Sequence, residues 1–203
     1  MRNFALRDHD GSVIPRTRWV WLGDHLAVDF VNTTIGLDDD REELIGTVVE
    51  FLGWIDAEPA WLPALGGDPV GLDAVLEQRD ATSRLLRAAA LQEELDGADV
   101  ELINERVRAG GATRLLGTEA GTSRLVAGGT GFVALLGVLA AATVDVLARE
   151  DLAAIAVCEA PGCGQIFHRS RRNQRWCSPG CGNRARVDRH RHRNPAAGAG
   201  SSR

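Results

Sequence analysis

Cys158-Glu159-Ala160-Pro161-Gly162-Cys163 and, thirteen residues further on, Cys177-Ser178-Pro179-Gly180-Cys181 contain all four cysteines of a 203-residue chain. Two close pairs at this separation suit one tetrahedral zinc, which needs four thiolate or imidazole donors. Pro161-Gly162 and Gly164 allow the backbone to turn tightly around the first pair. The i, i+4 spacing of Cys177 and Cys181 places two thiolates on one side of the first turn of a helix, with Pro179 suited to its start. Between the pairs, Gln165–His168 and Arg175-Trp176 are expected to form the two arms of a hairpin with its tip at 170–173, and Phe167 and Trp176 a small core. Knuckle, hairpin and ligand-bearing helix make a treble-clef-like zinc finger. The set Cys158, Cys163, Cys177 and Cys181 closes the coordination shell, so the expected Zn²⁺ is structural, one per chain. By the same ligand count His168, His190 and His192 are not needed as donors.

The charge pattern divides at the same place. Residues 158–203 carry ten arginines against Glu159 and Asp188, a balance of +8, whereas residues 1–157 carry thirteen arginines against twenty-six acids, a balance of −13. A basic arm on an acidic body suits a polyanion partner. The expected nucleic-acid contacts are Arg169, Arg171, Arg172 and Arg175 before the second cysteine pair. In the helix after it they are Asn183, Arg184, Arg186, Arg189 and Arg191. Arginine forks bond phosphates and can pair with guanine edges. Duplex DNA is the expected partner, with an RNA- or protein-binding finger as the alternative. One finger offers a small interface, which favours a homodimer.

Upstream, helical periodicity dominates. Asp24 is placed to cap a short helix over 25–32. Thr47, with Glu50 three residues on, signals a capping box for a second helix. A long helix is expected over about 70–95, a shorter one over 99–108, and the most apolar one over 132–149. Thr113–Leu116 and Ser123–Ala127 flank a turn and predict a hairpin. Trp19–Leu22 is an apolar run that suits a strand. The fold expected is therefore mainly α: a helical N-terminal domain with a small β-hairpin, then the zinc finger. The boundaries fall at 1–18 for a loosely ordered start, 19–150 for the helical domain, 151–193 for the finger and 194–203 for a disordered tail.

No catalytic pattern emerges: Ser, His and Asp are scattered, and Gly128-Gly129-Thr130-Gly131 lacks the lysine of a phosphate loop. An enzyme is not expected. Leu125–Val144 is free of charge, but its glycine, alanine and threonine content favours a buried helix over a membrane span. No secretory leader is expected in the first residues, so the location expected is cytoplasmic. Asp29 and Asn32, three apart on the first helix, together with Arg79 and Arg87 on the long one, are candidates for a small-molecule effector site. Against this stand helix-end hydrogen bonds for the first two and surface ion pairs for the arginines.

Cys181-Gly182-Asn183-Arg184, after Arg175-Trp176-Cys177-Ser178, resembles the CGNR zinc finger. Leu26-Ala27-Val28-Asp29-Phe30-Val31-Asn32-Thr33 resembles the opening motif of the ABATE domain, which precedes that finger in bacterial regulators of stress-linked transcription. The resemblance implies DNA binding by the finger and a regulatory, ligand-sensing role for the domain before it.

Overall fold

The computed structural model describes residues 19–22, 25–37, 41–118, 123–148 and 152–193. The expected loose start at 1–18, the tail at 194–203 and the capping role of Asp24 lie outside the described residues.

The chain runs through α1 (Leu26–Val31), β1 (Thr34–Ile35), β2 (Glu42–Glu43), α2 (Val48–Ala57), α3 (Leu72–Leu91) and α4 (Gly97–Gly110). It continues through β3 (Thr113–Leu116), β4 (Ser123–Val126), α5 (Phe132–Leu147), β5 (Ile155–Val157), β6 (Ile166–His168) and α6 (Pro179–Arg193). The protein is mainly α, with three separate two-stranded antiparallel pairs: β1–β2, β3–β4 and β5–β6.

Helix limits follow from local chemistry. Thr47 and Glu50 form the capping box, the Thr47 hydroxyl accepting from the Glu50 amide while the Glu50 carboxylate accepts from the Thr47 amide. The Asp96 carboxylate accepts from the amides of Ala98 and Asp99, so α4 begins earlier than the apolar period alone suggests. α3 stops at Leu91 because Gln92 turns left-handed, with φ of 60°. The expected hairpin forms, with Thr113 opposite Val126 and Leu116 opposite Ser123.

Two expectations are corrected. Trp19–Leu22 forms no strand, and Trp19 instead buries its ring in the main core. The finger's hairpin pairs β6 with β5, upstream of Cys158, and not with Arg175-Trp176. β5 is apolar enough to be buried on the helical body, whereas Arg175 must stay in water.

α5 is the centre of the molecule. Leu135, Leu136 and Leu139 pack with Phe30, Phe51, Trp54 and Val75 in one cluster, with the Phe30 and Trp54 rings 5.6 Å apart. Each such fully buried side chain contributes roughly 1.5–3 kcal/mol. Polar groups on this interface pair across it: Gln78 Nε2 donates to the Leu136 carbonyl at 2.9 Å, though its Oε1 is buried without a partner among the described residues, and the Thr82 and Thr143 hydroxyls lie 3.1 Å apart. α4 crosses α5 at Gly110 and Gly137. A Cβ on Gly110 would stand 2.5 Å from Gly137 Cα, so only two glycines allow the helices to meet this closely. Among the described residues no helix is long and apolar enough to cross a membrane.

Candidate metal centre and basic face

The metal centre is built on β5, β6 and the start of α6. Antiparallel pairing of Val157 with Ile166 brings the flanking residues together, and the Cys158 amide donates to the Gln165 carbonyl at 2.8 Å. The knuckle between them turns through Gly162 and Gly164, with φ of 67° and 66°. The positive φ is what requires glycine at 164; a Cβ there would also press on the exposed Leu37 side chain, which can turn away. Cys177 stands two residues before α6 and not inside its first turn. The Ser178 hydroxyl accepts from the Cys181 amide at 3.2 Å and so caps the helix, with Pro179 as its first residue. The Ser-Pro pair was a readable signal for this start.

The four sulfurs lie within 4.8 Å of one another. Cys163 and Cys177 are 3.8 Å apart, Cys177 and Cys181 3.5 Å, and Cys181 and Cys163 3.6 Å. A tetrahedron with zinc–sulfur bonds of about 2.3 Å has edges of roughly 3.8 Å, whereas a disulfide needs about 2 Å. The thiols are free, and the four are positioned to bind one metal ion, consistent with a single structural zinc. Their crowding divides their acidity. The Cys163 thiol is pulled down to about 5, chiefly by its hydrogen bond with Cys177. Cys177 is pushed up by that same bond, and Cys158 by burial. A dication relieves the mutual repulsion of the thiolates.

Phe167 and Ala156 are buried beside the cysteines, with Trp176 packed against them. Arg184 Nη2 lies 3.1 Å from Cys181 Sγ, a charged donor on a ligand sulfur. The Arg189 guanidinium lies 6.0 Å from the centroid of the Trp176 ring. Arg175 is ion-paired to Glu159. Arg169 is half-buried, with its amide bonded to the Ala154 carbonyl. Arg171, Arg172, Asn183, Arg186 and Arg191 are exposed. The nine expected contacts thus divide: Arg184, Arg189 and Arg175 have roles within the finger, while Arg171, Arg172, Arg186 and Arg191 make no ion pair or side-chain hydrogen bond among the described residues.

The four effector candidates do not surround one space. Asn32 is buried and bonded in both directions to the Ile166 backbone. Asp29 is buried in α1. Arg79 is buried between two carboxylates, bonding Glu43 at 2.6 Å and Asp80 at 2.8 Å. Arg87 donates to the Gly164 carbonyl at 2.6 Å. Among the described residues, Arg79 and Arg87 line one cavity, which neither Asp29 nor Asn32 lines. Gln165, overlooked in the sequence, donates to the Thr34 carbonyl at 3.0 Å. The finger is therefore joined to the helical body by Asn32, Arg87 and Gln165, and by Ile155 and Ile166, which share a core with Val28, Val31 and Leu86.

Residues 24–150 match the family model ABATE, described as "Putative stress-induced transcription regulator", and residues 155–194 match the CGNR zinc finger. No curated protein matches the chain.

Proposed function

The chain belongs to the ABATE family and carries a CGNR zinc finger behind that domain, and from this membership we propose that it is a DNA-binding transcription regulator whose helical domain senses an effector. Neither matched family is an enzyme family. The observation that carries the proposal is the uncommitted charge on the finger. α6 is 15 residues long, about 22 Å at the usual rise. Asn183, Arg186 and His190 recur on its outer side at helical spacing. Arg171 and Arg172 add charge beside the metal centre. A zinc-held helix of this size fits a major groove, and arginines around it suit the flanking phosphates. The acidic body repels DNA, so contact is confined to the finger. A single finger buries little surface, and two copies of the chain supply the specificity.

Titration of the zinc-loaded protein against genomic and random duplexes at several salt concentrations tests this. Binding that weakens steeply with salt supports it. No duplex binding at about 50 mM salt, where screening is weak, would transfer the finger to an RNA or protein partner.

A further inference from the structure

A cavity of about 380 Å³ opens between α3 and the β1–β2 hairpin, beside the knuckle. Four arginines line it: Arg41, Arg79, Arg84 and Arg87. Three of them have a carboxylate. Arg79 holds Glu43 and Asp80, Arg84 holds Asp99 at 2.6 Å, and Arg41 reaches Asp80 at 3.3 Å. Arg87 differs. Among the described residues no carboxylate lies within ion-pair distance of it. Its Nη2 donates to the Gly164 carbonyl and its Nε makes a long bond, 3.3 Å, to the Ser83 hydroxyl. Nη1 has no hydrogen-bond partner among the described residues.

A guanidinium keeps its proton in any protein environment. Burial, chiefly, and the neighbouring Arg41 disfavour the charge on Arg87, and the nearby Cys163 offsets them in part. A half-buried cation without a counter-ion is costly, and such groups are found paired. An anion that enters through the cavity would supply Arg87 with a direct partner.

We propose that this cavity binds a small organic carboxylate, with Arg87 Nη1 and Arg41 holding the carboxylate and Val31 and Leu37 providing an apolar wall for its carbon skeleton. The planar fork of arginine matches a carboxylate. Asp80, also on the wall, disfavours a multiply charged phosphate. The Arg87 bond to Gly164, next to the ligand Cys163, survives in this arrangement, so the bound anion and the zinc knuckle share one guanidinium. This gives chemistry to the effector-sensing part of the proposed function and rests on that reading for its use. The binding itself is measured without DNA, so the two can fail separately.

The test is calorimetric titration of the full-length, zinc-loaded protein with butyrate, benzoate and inorganic phosphate at matched ionic strength in chloride. Saturable binding of at least one carboxylate is expected, weakened roughly tenfold or more by Arg87→Gln, since a charge-assisted bond is lost. Arg41→Gln, at an exposed position, should weaken it too and serves if Arg87→Gln does not fold. Arg108→Gln, on the far surface of α4, should leave it unchanged. The proposal is overturned if neither carboxylate binds at up to about 20 mM, beyond even millimolar affinity. It is equally overturned if phosphate alone binds, or if the folded Arg87 or Arg41 variants bind as the parent does.

Discussion

The side-chain amide of Asn32 pairs with the backbone of Ile166 as a strand would: Nδ2 donates to the carbonyl at 2.7 Å and Oδ1 accepts from the amide at 3.1 Å. Both groups are buried. One asparagine at the C-terminal cap of α1 thus completes the ladder of β6 and joins the ABATE domain to the finger. Asn32→Ala should cost about 1–3 kcal/mol, because it leaves two backbone groups buried without partners. Asn32→Asp removes the donor and adds a buried charge, and should cost at least as much. Urea unfolding with zinc present measures both, and a loss below about 0.5 kcal/mol would show that the joint carries little stability.

Zinc should stabilise the whole chain and not the finger alone. Ile155 and Ile166 pack with Val28, Val31 and Leu86, so disordering the knuckle strips apolar cover from the body. Cys181→Ser should abolish stoichiometric zinc and lower the melting temperature of the helical signal by several degrees, since about 1 kcal/mol moves a domain of this size by roughly 2–4 °C. Circular dichroism at helical wavelengths, with elemental analysis, decides this; an unchanged helical transition in a zinc-free variant would make the finger an independent module.

The α4–α5 crossing should tolerate no added methyl. Gly137→Ala places a Cβ 2.6 Å from Gly110 Cα and 3.1 Å from the Arg106 carbonyl. The gain in helix propensity, about 1 kcal/mol, is outweighed by forced separation of the helices. A net loss of about 1–3 kcal/mol is expected, read from denaturant midpoints. A more stable variant would mean that the helices part easily.

Glu58 closes α2 with one carboxylate oxygen bonded to the Ala60 amide and the other buried without a hydrogen bond. Burial raises its pKa to about 6 against an ordinary 4.5. The folded state therefore holds the proton longer than the unfolded chain does. The stability this contributes is complete below pH 4.5 and is lost as the pH rises through about 6. Glu58→Gln keeps the neutral form at all pH values. It should match the parent at pH 4.5 and exceed it by about 1 kcal/mol at pH 7 and above, with solvent screening taken into account. Denaturation midpoints across this range give the sign directly.

On DNA, Arg171 and Arg172 should act differently from Arg186. If Arg171, Arg172, Arg186 and Arg191 each neutralise a phosphate, affinity should fall about a hundredfold between roughly 50 and 200 mM salt. Arg171→Ala with Arg172→Ala should weaken all duplexes alike and flatten that slope. Arg186→Ala should also alter which sequences are selected if α6 lies in a groove. Arg184→Ala should accelerate zinc loss, because its guanidinium donates to Cys181 Sγ.

Much of this was legible in the sequence because the causes are local. The cysteine spacing, the Thr47–Glu50 box, the hairpin flanking 117–122 and the apolar run of α5 each carry their own signal within a few residues. The metal is the same case, since four thiolates at knuckle and helix spacing suit few other purposes. What only the tertiary structure decided is the choice of partner for groups able to satisfy several. Asn32 could have faced a ligand, and it bonds Ile166, 134 residues away. Arg175-Trp176 could have paired with β6, and β5 took its place because burial on α3 favours an apolar strand. The nine basic-face residues are equivalent in the sequence, yet Arg175, Arg184 and Arg189 are committed to Glu159, Cys181 and Trp176. Arg79 and Arg87 lie eight residues apart on one helix, and packing supplied carboxylates to the first and a backbone carbonyl to the second. Local propensity sets which elements form; the pairing of polar groups between elements depends on distances that exist only once the core has closed.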